Sequence, residues 1–176
     1  MVRTSLVFGG LAGAIVIGIT LAIILLLDTH GHTGSLFLGY LVMILGLSLI
    51  FFGVKRYRDS ERGGVIKFLP ALGLGLGIAV VAGVIYMLVW EVYLATTHYT
   101  FMDTYTAALL AADKAKGMSG AALQNEIAQM NAMKESYANP LYRLPMTFME
   151  IFPVGLIIAV ISAAVLRNAK VLPARG

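Results

Sequence analysis

The chain contains no cysteine. That excludes a disulfide framework, a thiolate nucleophile and a cysteine-ligated metal. Charge is scarce as well: 12% of residues are charged against 59% apolar, and mean hydropathy is +0.86. A soluble domain of 176 residues needs far more polar surface than this. The glycine patterns of nucleotide sites are missing, as are Gly-x-Ser-x-Gly and His-Glu-x-x-His. No nucleophile–base–orienter set is visible, so the expectation is a protein that is not an enzyme and holds no cofactor.

What is present is four long apolar runs, at about 5–27, 35–54, 68–94 and 144–166. Each reaches the roughly 20 residues a helix needs to cross a bilayer. Of 22 charged side chains, only Glu91 and Glu150 lie inside the runs. The expected fold is all-α: one integral membrane domain over 1–176, built as a four-helix transmembrane bundle. The first run is too long for a signal-peptide core and lacks a small-x-small cleavage site, so it reads as a retained anchor.

The basic residues orient this arrangement. Residue Arg3, the 55–67 loop and the tail after 166 together hold nine of the 13 Lys and Arg. The 28–34 loop holds none, and the other four are spread over 95–143. The positive-inside rule then puts both termini and the 55–67 loop in the cytoplasm of a bacterial inner membrane. The net charge of +4 follows the membrane-flanking clusters and forms no basic stripe, which argues against nucleic acid as a partner. The expected partners are the lipid bilayer and either a second copy or another membrane protein.

Every run carries small residues at helical spacing: Gly9 with Gly13, Gly10 with Ala14, Gly73 with Gly77, and Gly155 with Ala159. Such seams let helices approach closely, within one molecule or between two. The segment between the third and fourth runs is patterned too. Phe101, Tyr105, Leu109 and Ala112 recur at helical spacing, with Gly117 as a stop. Ser119 then precedes a stripe of Leu123, Ile127, Met130, Met133 and Tyr137. Two amphipathic helices over about 101–137 are expected as an extracytoplasmic hairpin. Tyr40, Trp90, Tyr93, Tyr99 and Tyr142 mark the outer interface.

Candidate chemistry is limited to a few places. Glu150 lies three residues before Pro153, which removes a backbone donor. If the helix began after Glu150, only 16 residues would remain, too few for a crossing. An ionisable side chain there is either a functional site or an interfacial residue near a helix start. Glu91 approaches the same side, five turns from Gly73, so it is expected on the Gly73/Gly77 packing face. It could share a proton with Glu150 or pair with Arg143. Asp28, His30 and His32, with His98, form a weak metal pattern, and no metal is expected. Tyr57, Arg58, Asp59, Gly63 and Gly64 read as a cytoplasmic turn whose cations hold headgroups or fix topology.

One set of residues carries a resemblance. Tyr57-Arg58-Asp59 follows the second run, and Gly63-Gly64 with Phe68 leads into the third. Phe148-x-Glu150-x-x-Pro153-x-Gly155 and Ser162-Ala163 lie in the fourth. In this order and at these spacings the chain resembles, over about 6–167, a bacterial membrane family catalogued as domain of unknown function 4199. The resemblance implies four spans with an outer helical insertion between the third and fourth, and no established activity, substrate or cofactor. The histidines are not among its markers. The functional expectation is a non-enzymatic accessory or assembly protein. The alternative is a small proton-linked carrier or pore using Glu150 with Glu91.

Overall fold

A computed structural model describes residues 1–26 and 36–174, and among them all regular structure is helical. The order is α1 (Val2–Leu26), α2 (Leu36–Leu47), α3 (Leu49–Glu61), α4 (Phe68–Thr96), α5 (Phe101–Ala115), α6 (Gly120–Ala138) and α7 (Pro140–Leu166). Four stretches are long and apolar enough to cross a membrane: α1, α2 with α3, α4 and α7. Apolar segments of this length must satisfy their backbone internally, which a helix does.

The second crossing is two helices with one interruption. At Ser48 the hydroxyl donates to the Leu45 carbonyl at 2.6 Å, and the backbone still bonds to Ile44. The fourth begins earlier than hydropathy implies. Asn139 caps it by accepting from the Leu141 amide at 3.0 Å, and Pro140 occupies the first turn, where a missing donor costs nothing. The helix then runs unbroken through Pro145 and Pro153. The expected loosening at Pro153 therefore produces no break.

Helix α4 is central, packing along α1 on one side and α7 on another. The α4–α7 contact is a seam of small residues. A β-carbon at Gly75 would lie 2.9 Å from the Ala159 β-carbon, and one at Gly155 would lie 2.9 Å from that of Ala79. No side chain fits there. The α1 contact uses Gly9 and Gly13, whose added β-carbons would press on the Ile78 and Ala82 carbonyls. Contrary to expectation, Gly73 is not on the packing face. It is exposed with nothing within 4 Å, because the α7-facing positions are Ala71, Gly75, Ala79 and Gly83. Gly10, Ala14 and Gly18 likewise face outward on α1.

The two helices between the third and fourth crossings form as expected. Gly117 at φ +91° closes α5, and Ser119 precedes α6 without a side-chain cap bond. Lys134 of α6 pairs with Asp103 of α5. The α6 stripe of Leu123, Ile127, Met130, Met133 and Tyr137 is half-buried, while the opposite faces are exposed.

Candidate functional site

The α5–α6 end of the long helices carries nearly all the unusual polar chemistry, and it begins at Arg143. This residue lies in the first turn of α7 and is 3% exposed. A cation at that depth in an apolar helix must be fully paired. Its Nε donates to Glu91 Oε2 at 2.9 Å and its Nη2 to Oε1 at 2.5 Å. The fork geometry matches both carboxylate oxygens, as guanidinium does best. Nη1 donates to the Tyr137 carbonyl at 2.9 Å and the Ala138 carbonyl at 3.3 Å. Those carbonyls end α6, so the cation also caps that helix.

Aromatic rings complete the enclosure. The guanidinium carbon stands 5.0 Å from the Tyr99 ring centroid and 5.7 Å from that of Tyr137. The Tyr99 hydroxyl donates to Glu91 at 3.1 Å. Its approach depends on an unusual backbone: His98 and Tyr99 are both left-handed, at φ 52° and 58°. Consecutive non-glycine residues in that region are strained, and here they turn the chain back over the pair.

Tyr137 joins this cluster to a second one. Its hydroxyl accepts from Trp90 Nε1 at 2.8 Å, and burial pushes that hydroxyl above its ordinary pKa. Below it lies an open cavity of about 370 Å³ to which five helices contribute. Thr20 and Ile24 come from α1, Tyr86 and Trp90 from α4. The hairpin supplies Phe101 and Tyr105 from α5 and Met133 from α6, and α7 supplies Thr147 and Glu150.

Glu150 lies seven residues beyond Arg143, about 10 Å deeper along the helix. It is exposed and lines the cavity. Tyr86 of α4 lines the same cavity. No ion pair joins it to any cation among the described residues. Glu91 and Glu150 therefore form no carboxylate dyad. One is bound to an arginine, and the other faces a cavity two helical turns away.

The matching signal from known proteins is a family model described as "Protein of unknown function (DUF4199)", which spans residues 7–168. The chain belongs to the DUF4199 family. No curated protein and no solved structure matches it. In this DUF4199 chain the matched region takes in both glutamates, Arg143, the hairpin and the cavity.

The motif after the second crossing is placed differently from expectation. Arg58 is 0% exposed. It donates to the carbonyls of Val171 at 2.9 Å and Leu172 at 2.5 Å, and to Asp59 at 2.7 Å. Lys55 also pairs with Asp59 at 2.5 Å. Arg58 thus fastens the segment after α7 and is not available to lipid. Tyr57 is buried under Arg62, whose guanidinium lies 5.6 Å from the ring centroid. Gly63 and Gly64 form the expected turn, at φ 60° and 83°, where other residues would be strained. Arg3, Arg56, Arg62 and Lys67 are exposed here, and the first two line a cavity of about 320 Å³ between α1 and α3.

Asp28, His30 and His32 lie outside the described residues. Among those described, no group of three His, Asp or Glu converges, and His98 is exposed in its strained turn. Arg143 is the residue sequence reasoning undervalued. The signal was Asn139-Pro140, a cap and first-turn pair that starts the helix early enough to carry Arg143 inside it.

Proposed function

We propose that this DUF4199 member is a non-enzymatic accessory or interaction protein of a bacterial inner membrane that works by binding. In this reading the four crossings form one bundle, both termini are cytoplasmic, and the α5–α6 hairpin lies outside. The concentration of Lys and Arg beside one set of helix ends supports that orientation. The observation that carries a binding role is the cavity: a hairpin pinned by Arg143 closes over a space lined by aromatic and thioether side chains with one carboxylate. Apolar walls with a few placed polar groups are the ordinary make-up of a ligand site. The polar groups there comprise hydroxyls and Glu150, without the paired base that activates a nucleophile.

The absence of native cysteine makes the orientation directly testable. Single cysteines at Gln124 and at Asn168 should label from opposite sides with a membrane-impermeant maleimide, the first from outside intact cells. Labelling of both from the same side sinks the topology. A carrier using Glu150 with Glu91 is a second reading. Glu91 is bidentate to Arg143, so a relay would rest on Glu150 alone. Proton flux into proteoliposomes that disappears in Glu150→Gln would favour the carrier over the binding protein.

A further inference from the structure

We propose that the cavity beneath the hairpin is a site for an organic cation, with Glu150 as its counter-ion. The inference rests on the binding role argued above and names the class of ligand. Three observations carry it. First, Glu150 lines the cavity with no ion-pair partner among the described residues, whereas Glu91, two turns away, is fully matched to a guanidinium. A carboxylate in an apolar helix is costly, and a bound cation supplies the missing partner. Second, one wall is a continuous aromatic surface. The Trp90 and Phe101 rings meet edge to face at 5.0 Å between centroids, and Phe101 stacks on Tyr105 at 5.9 Å. Such faces attract cations, and quaternary ammonium groups are recognised in this way.

Third, the remaining walls are apolar and adaptable. Met102, Met133 and Met146 contribute thioethers, and Ile24 closes the α1 side. Among the described residues no Lys or Arg lines the space. An anion would find a carboxylate and no compensating donor beyond hydroxyls. A neutral apolar molecule would leave Glu150 unpaired. An ammonium group on an apolar body matches both the carboxylate and the walls. That chemistry is shared by free amphiphilic amines and by the headgroup of phosphatidylethanolamine.

The chain reports on its own site, because its single tryptophan is Trp90 in the cavity wall. Purified full-length protein in neutral detergent should be titrated with benzyltrimethylammonium, benzyl alcohol and benzenesulfonate while Trp90 emission is followed. The expected result is a saturable change with the cation, at least about tenfold tighter than with the alcohol, and none with the sulfonate. Glu150→Gln should weaken the cation about tenfold or more and leave benzyl alcohol unchanged. Glu150→Asp, which keeps the charge, should retain most of the preference.

Equal responses to all three probes, or a cation response untouched by Glu150→Gln in folded protein, overturn the cation assignment and leave a general apolar binding site. Silence from Trp90 with every probe removes the binding role as well. In proteoliposomes, phosphatidylethanolamine that competes with benzyltrimethylammonium, where phosphatidylglycerol does not, assigns the site to the lipid ammonium. Lack of competition assigns it to a free cation.

Discussion

Among the described residues two arginines are buried, one at each end of the long helices, and they solve the same problem by different means. Arg143, at the hairpin end, has a carboxylate on another helix, two carbonyls and two aromatic rings. Arg58, at the other end, has the carboxylate of its own neighbour Asp59 and two carbonyls of the tail. The first ties three elements together beside a cavity. The second ties down the segment after α7 and lines no cavity itself. A buried guanidinium is thus a fastener in both places, and its surroundings decide whether it also frames a site. Both contacts join residues far apart in sequence, 52 positions for Arg143 to Glu91 and 113 for Arg58 to Val171.

The contrast breaks most visibly at Arg143. Arg143→Leu leaves Glu91 without its cation and two α6 carbonyls without a donor. Breaking a buried pair from one side costs about 3–5 kcal/mol. Glu91 is 27% exposed, which puts the loss toward the lower end, about 3 kcal/mol. Unfolding of the purified protein by heat or denaturant measures it. Amide hydrogen exchange should rise across α5 and α6 and stay unchanged at 167–174. A rise of equal size at both ends would erase the distinction between the two fasteners.

Arg58→Leu should do the reverse at a smaller cost. Its carboxylate partner Asp59 keeps Lys55 when Arg58 is lost, and water can reach the carbonyls once the tail is free, so the loss is about 2 kcal/mol. Exchange should rise in the tail alone. The two losses should add within about 0.5 kcal/mol in the double variant, since the sites share no partner. A clear departure from additivity would mean that the ends communicate.

Between the fasteners lies the small-residue seam. Gly75→Val forces atoms into a contact where a single β-carbon already comes within 2.9 Å of Ala159. Overpacking of this kind costs about 1–2 kcal/mol, and the change should alter exchange in α4 and α7 without freeing the hairpin or the tail. The mildest test is Tyr99→Phe. It removes one exposed hydrogen bond to Glu91 and leaves the ion pair intact, so a loss of about 0.5 kcal/mol is expected, read by the same unfolding measurement.

Much of the architecture was visible in the chain, for a clear physical reason. Apolar runs of membrane length have few other ways to satisfy their backbones, and the α5 and α6 stripes repeat at helical spacing. The boundaries that failed were those set by charge. Hydropathy treats Arg143 and Arg58 as marks of a helix end, because a lone cation belongs in water. Both are buried because distant residues complete them. The carboxylates were noticed for the same reason the arginines were misread. Which of the two was matched depended on how α4 and α7 meet. That in turn depended on Gly75 and Gly155, and not on Gly73, facing across the gap.

The seam alone leaves one quantity open, and Arg143 closes it. Along α4 the buried positions toward α7 recur every fourth residue: Ala71, Gly75, Ala79, Gly83. Along α7 they recur in the same way at Gly155, Ala159 and Ala163. Sliding one helix by four residues, about 6 Å, would still bring small residues against small ones. In lipid, no gain or loss of water distinguishes the slipped alignment. The Glu91–Arg143 pair continues the Gly75–Ala159 and Ala79–Gly155 series outward, so it forms in one alignment only. In either slipped form Arg143 would stand opposite Met87 or Ala95 with no anion to meet. The ion pair acts as a stop, setting how far α7 slides along α4 before the helices lock.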